Sequence, residues 1–197
     1  MITVIDSGVA NLTSVIAALE RLTSSIEITA NAHRISEASH VILPGVGSAS
    51  AAMKQLETKG LAKLIPTLKQ PVLGICLGMQ LLFDYSEENG GTSCLGILPG
   101  RVQLLTSSSA YPVPHMGWNT LKKQAIHHPL LQGIPDNSYA YFVHSYAVSQ
   151  NSATIASTDY SSSFTAMAGH NNFYGCQFHP ERSSNVGHQI LKNFLAL

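Results

Sequence analysis

The chain has 197 residues, 45% apolar and only 11% charged, with 11 basic and 11 acidic side chains and so no formal net charge. That length and apolar content suit one domain over 1–197 with a sizeable core, and the absence of any Lys/Arg run argues against a nucleic-acid binder. No apolar run reaches membrane-spanning length, and three cysteines, Cys76, Cys94 and Cys176, are too few and too odd in number for a disulfide framework.

Residues 1–5 form a short apolar run that ends at Asp6-Ser7-Gly8. Leu12, Val15, Ile16, Leu19 and Leu22 then recur at helical spacing, with Asn11 placed to cap them. Residues 26–28 and 41–43 read as further strands, the second running into Pro44-Gly45-Val46-Gly47. Helical material follows to about Leu68; residues 71–75 are a fourth strand, and a helix is expected to start over Met79 to Phe83. Strands alternating with helices predict a mostly parallel central sheet flanked by helices.

After about Gly91 the pattern changes to short β-prone runs at 102–105, 139–148, 153–156, 164–168 and 173–178. Asn171-Asn172 reads as the turn of a hairpin. Val186, Ile190, Leu191, Phe194 and Leu195 mark a closing amphipathic helix. The expected fold is therefore α/β, with a mixed or antiparallel C-terminal portion.

Gly74-Ile75-Cys76-Leu77-Gly78 lies between an apolar strand and a helix. It has the form of a nucleophile elbow, in which a strained turn holds the nucleophile and small residues two positions away allow close backbone approach. A helix start behind Cys76 favours its thiolate, and the Leu77 amide would face a developing oxyanion. Five such residues are also compatible with a buried structural cysteine between packing glycines. A cysteine nucleophile needs a base, and the best candidate lies in Gln177-Phe178-His179-Pro180-Glu181. In an extended segment His179 and Glu181 would face the same way, so the carboxylate could fix the imidazole tautomer. The Gly45-Val46-Gly47 turn can approach the sheet's C-terminal edge, where ligands of parallel sheets sit. Surface positions are expected for His33, His40, His127, His128 and His188. Cys176 and His179 lack a second ligand pair at zinc spacing, so no metal is expected. Trp118, within Pro114-His115-Met116-Gly117-Trp118-Asn119, suits either core packing or an exposed contact loop.

Together, residues 44–47, residues 74–80 and the Phe178-His179-Pro180-Glu181 string resemble the class I (triad) glutamine amidotransferases, in the family's order and over most of the chain. Residues 114–119, 141–146 and 175–184 are similar to the glutaminase subunits of imidazole glycerol phosphate synthases. The resemblance implies a Cys76–His179–Glu181 triad that hydrolyses glutamine through a γ-glutamyl thioester. It implies an oxyanion hole at Gly45, Val46 and Leu77, with the Gly45-Val46 strand rearranging when the partner binds its ribonucleotide. It also implies a glutamine pocket of Gln80, Glu88, His144, Ser145 and Tyr146. The partner would be a (β/α)8-barrel cyclase in a heterodimer, with Asn11, Trp118 and Arg182 at the interface and no metal or organic cofactor. A chain that starts without a basic or apolar leader is expected in the cytoplasm.

The family often has an aromatic and a second glycine where this chain has Ser7 and Ala10, and a lysine where it has Arg182. A class I glutaminase serving another acceptor, such as anthranilate, guanylate, aminodeoxychorismate or pyridoxal phosphate synthesis, is the nearest alternative reading. Further ones are a non-glutamine hydrolase with a similar elbow and a catalytically idle regulatory subunit.

Overall fold

The computed structural model describes residues 1–6, 8 and 12–197. Its first half alternates strands and helices: β1 (Ile2–Ile5), α1 (Thr13–Glu20), β2 (Ile26–Thr29), α2 (Ala32–Ser36), β3 (His40–Gly45), α3 (Ala49–Thr58), α4 (Leu61–Leu64), β4 (Val72–Cys76) and α5 (Leu77–Gln80). The second half is strand-rich: β5 (Tyr85–Ser86), β6 (Thr92–Ser93), β7 (Arg101–Leu104), β8 (His115–Lys123), β9 (Ser138–His144), β10 (Tyr146–Val148), β11 (Thr154–Asp159), β12 (Ser163–His170) and β13 (Phe173–Cys176), closed by α6 (Ser184–Phe194).

Nine strands form one sheet in the order β2-β1-β3-β4-β13-β12-β11-β8-β9, parallel from β2 to β13 and antiparallel beyond it. The expected α/β class with an antiparallel C-terminal portion is the one found. Alternation along the inner strands feeds two buried clusters. Ile42, Leu73 and Ile75 join α1 and α6 on one face, while Val41, Leu43 and Val72 join α2, α3 and α4 on the other. A smaller sheet, β10-β7-β5-β6, stands beside the large one.

Four expectations need revision. The helix expected over Met79 to Phe83 is a single turn, α5. The carbonyls of Leu81, Leu82 and Phe83 that would continue it accept instead from the amides of Leu95, Ile97, Leu98 and Gly96 in the following loop. The run at 139–148 is two strands, β9 in the large sheet and β10 in the small one, with only Ser145 between them. Residues 114–119, expected to place Trp118 in core packing or on an exposed contact loop, run into strand β8 from His115 onward, and Trp118 on it is 52% exposed. His40 and His128, expected at the surface, are half-buried: the His40 ring packs edge-on against Phe194 and its Nε2 has no hydrogen-bond partner among the described residues, while the His128 ring packs edge-on against Tyr174 and its Nδ1 accepts from the Leu130 amide. Helix α2 was not expected from periodicity. It is started by Asn31, whose Oδ1 accepts from the amides of His33 and Arg34 at 3.0 and 3.1 Å. The expected cap at Asn11 lies outside the described residues.

Candidate active site

Cys76 ends β4 and begins α5 with φ 54° and ψ −112°, a conformation that costs a non-glycine residue on the order of 1–3 kcal/mol. The neighbours that hold it there are glycines because nothing larger fits. A Cβ on Gly74 would lie 2.6 Å from the Gly78 oxygen and the Met79 nitrogen, and one on Gly45 would lie 2.7 Å from the Gly78 nitrogen. A Cβ on Gly78 would run into the Leu43 carbonyl. Since Gly45 is also the register partner of Cys76 on the adjacent strand, the elbow and the glycine turn sit side by side at the sheet's carboxyl edge.

On the other side of β4, strand β13 ends at Cys176, and the chain continues through Gln177 and Phe178 to His179. Core burial of Phe178 anchors this exit, and the His179 amide donates to the Tyr141 carbonyl at 2.9 Å. A 3-10 turn over Pro180–Arg182 follows, so His179 and Glu181 meet across a turn and not along an extended strand. Ser183 secures that turn, its hydroxyl donating to the His179 carbonyl at 2.7 Å and accepting from the Tyr141 amide at 2.9 Å. His179 Nδ1 lies 2.8 Å from Glu181 Oε1, which leaves the other ring nitrogen for Cys76. Burial opposes the imidazolium, but hydrogen bonds and charge from Cys76 and Glu181 outweigh it and hold the His179 pKa up at about 10. The arrangement is a thiol, a base and a carboxylate in series, with the base favoured in its protonated form beside sulfur.

These groups border a cleft of about 340 Å³ lined by Gly45, Val46, Cys76, Leu77, Gln80, Glu88, His144, Ser145, Tyr146 and His179, with Gly47, Pro114 and Val143. Every residue named from sequence for oxyanion stabilisation or substrate binding is therefore on one cleft. Leu77 is the first residue of α5, so its amide has no acceptor within the helix. Glu88 is anchored at one end, its Oε2 accepting from the Ala49 amide at 2.6 Å at the start of α3. Gln80 commits both amide hydrogens inward, to the Tyr146 carbonyl and to Gln177 Oε1, each at 2.9 Å. Its Oε1 takes part in neither bond.

Glu181 lies behind this cleft, in a second hollow with Ser14, Val46, Val143, His179 and Arg182. Arg182 is exposed there. Trp118 does not line the cleft; it lies on the outer face of β8, its ring edge-on to Tyr141 across the β8–β9 pair and on the same face as exposed Met116 and Tyr139. Asn11 lies outside the described residues. Sequence reasoning missed Gln177, whose Nε2 points at Cys76 Sγ from 3.9 Å. The signal was a polar side chain inside the apolar string Cys176-Gln177-Phe178, which burial obliges to find partners. It also missed His115, a fully enclosed histidine hydrogen-bonded to His144.

Residues 3–197 match the family described as glutamine amidotransferase class-I. The chain belongs to the class I glutamine amidotransferases. It is 51% identical over 197 residues to imidazole glycerol phosphate synthase subunit HisH 2 of Legionella pneumophila subsp. pneumophila (strain Philadelphia 1), covering all of this chain and 98% of that one. It is 50% identical to the HisH subunit of Shewanella sediminis, over 98% of this chain and 89% of the relative. Among solved structures, one described as a glutamine amidotransferase superposes with TM-score 0.75 at 14% identity, over 99% of this chain and 97% of that one. A glutamine amidotransferase from Thermotoga maritima gives TM-score 0.64 at 16% identity, over 99% and 82%. These two likenesses speak for the amidotransferase fold alone.

Proposed function

We propose that this chain is the glutaminase subunit of an imidazole glycerol phosphate synthase, hydrolysing L-glutamine and passing ammonia to a (β/α)8-barrel cyclase. The observation that carries the reading is the strained Cys76 beside a His179 held protonated by Cys76 and Glu181 together, in a cleft that also holds Gln80 and Glu88. In this mechanism the Cys76 thiolate attacks the side-chain amide carbon of glutamine. Charge develops on the amide oxygen beside the Leu77 amide and the Gly45-Val46 turn. His179 gives its proton to the departing ammonia as the C–N bond breaks, leaving a γ-glutamyl thioester on Cys76. Water, losing a proton to His179, then attacks the thioester; glutamate leaves and the thiolate returns. Glu181 keeps the ring oriented in both halves.

Gln80 Oε1 and the Glu88 carboxylate suit the α-ammonium of glutamine, with residues 144–146 as the pocket wall. Carbonyl and carboxylate oxygens recognise a cation without needing a metal or an organic cofactor. The exposed face of Met116, Trp118 and Tyr139, backed by half-buried Tyr141, is the surface on which a partner would dock, since large aromatic side chains at such exposure are what interface centres are made of. Arg182 and Asn11 belong to the same proposed heterodimer interface. No helix among the described residues is long and apolar enough to cross a membrane, and a cytoplasmic setting fits a biosynthetic heterodimer.

Glutamate release, measured with a barrel cyclase of that pathway in the presence and absence of the cyclase's ribonucleotide substrate, tests the reading. Strong hydrolysis in the full mixture is expected. A folded chain that stays silent in every mixture would overturn it.

A further inference from the structure

We propose that His115, which does not touch the cleft, is a positioning residue that acts through His144 and the Tyr146 carbonyl to fix Gln80 in its substrate-binding orientation. The inference rests on the glutaminase reading above.

His115 and His144 are both enclosed, with His115 Nδ1 2.9 Å from His144 Nε2. The direction of that hydrogen bond follows from what lies at each end. His144 Nδ1 is 2.8 Å from the Tyr146 carbonyl oxygen, which can only accept, so Nδ1 carries the hydrogen. A neutral His144 then has a bare Nε2, and His115 Nδ1 must donate to it. His115 Nε2 is left as an acceptor, and Asn119 Nδ2 lies 3.3 Å away to fill it. The Asn119 amide cannot be turned round: its Nδ2 donates to the Asp159 carbonyl at 2.9 Å, and its Oδ1 accepts from the Thr120 amide at 2.8 Å. Backbone groups at both ends thus impose one polarity on the whole relay. Burial keeps both rings neutral, taking the His115 pKa down to about 4 and that of His144 to about 3.

The His115 ring is also mechanically fixed. It stacks between Phe142 and Tyr160, with centroids 5.0 and 4.0 Å away, and Tyr160 is itself tied by its hydroxyl to the Pro112 carbonyl. At the cleft end, the Tyr146 carbonyl that receives His144 receives Gln80 Nε2 as well, and Gln80 passes the second hydrogen to Gln177. The carbonyl's position therefore decides where Gln80 Oε1 stands. A ring at His115 that could not donate would leave His144 Nε2 an orphan acceptor and release this wall.

The test compares His115→Leu with His115→Asn in the complete synthase, because an asparagine amide can donate from near the Nδ1 position. The expected result for Leu is a glutamine KM raised on the order of tenfold, the equivalent of one lost buried hydrogen bond, with kcat within about twofold. Asn should restore KM to within about twofold of the parent. Equal KM in Leu and parent, or an equal fall in kcat that Asn does not rescue, overturns the inference. Should His115→Leu fail to fold, Asn119→Leu takes its place, with KM expected to rise about threefold for loss of the outer hydrogen bond; an unchanged KM overturns the inference. Independently, ¹⁵N-histidine spectra of the parent protein should show both rings as neutral Nδ1–H tautomers, and an Nε2–H tautomer on either ring overturns the relay. If the parent complex releases no glutamate, the glutaminase reading fails, and these spectra still decide the relay.

Discussion

The two walls of the cleft each present a histidine that folding has withdrawn from water, and the two are driven in opposite directions. His179, between sulfur and carboxylate, is held protonated with a pKa of about 10. His144, facing a second imidazole and a carbonyl, is held neutral with a pKa of about 3. Burial penalises the charge in both, and only the partners differ. Desolvation alone therefore does not assign a histidine its role: an anionic partner makes it a proton donor, and a neutral one makes it a scaffold.

Removing the sulfur from the charged wall is the most severe way to break this contrast. Cys76→Ser is expected to lower glutamine hydrolysis on the order of 10⁶-fold. Synthase activity supplied with ammonia should persist, since ammonia then bypasses the glutaminase. Loss of both activities would make Cys76 structural. Glu181→Gln is the next step down. It keeps the shape, removes the carboxylate charge and should cost on the order of 10³–10⁴-fold in kcat. The His179 pKa should fall from about 10 in the same variant, as read by titration of its ring resonances. An unchanged pKa would mean that Cys76 alone sets it.

Stability against pH sharpens the contrast without touching activity. His115 and His144 titrate lower folded than the ordinary 6.5, so the unfolded chain takes up protons first. Their contribution is present above pH 6.5 and is lost as pH falls towards about 4 and about 3. His179 behaves in reverse: its contribution is full below pH 6.5 and is lost as pH rises through about 10. Urea midpoints should therefore decline on both sides of neutrality, and Glu181→Gln should flatten the alkaline side only. The smallest effect on the fold lies outside both walls. Trp118→Ala should change stability by less than about 0.5 kcal/mol, because the ring is exposed. The parent's Trp118 fluorescence should shift when the cyclase binds, and a constant spectrum would remove it from the interface.

The parallel half was legible because its signals are local. Apolar runs ending in Gly-rich turns are strands followed by helices, and the crowding at Gly45, Gly74 and Gly78 is written in adjacent letters. Cys76, His179 and Glu181 were legible for a related reason, since each chemical requirement has a short spacing. Three features were hidden because distant chain decides them. The loop at 95–98 takes the carbonyls that would have extended α5, which no periodicity records. The outer placement of Trp118 depends on β8 pairing with β9 and leaving that face uncovered. His115 looked like one letter of a motif, and it acquires meaning only when Asn119, Tyr160 and His144 close round it.

The single residue between β9 and β10 has a mechanical consequence. His144 belongs to the large sheet and Tyr146 to the small one, so the chain passes from one sheet to the other within the cleft wall itself. One extended residue reaches about 3.6 Å at most. The ends of β9 and β10 are thus held within one residue of each other, and the position of the cleft wall follows from the packing of both sheets at once.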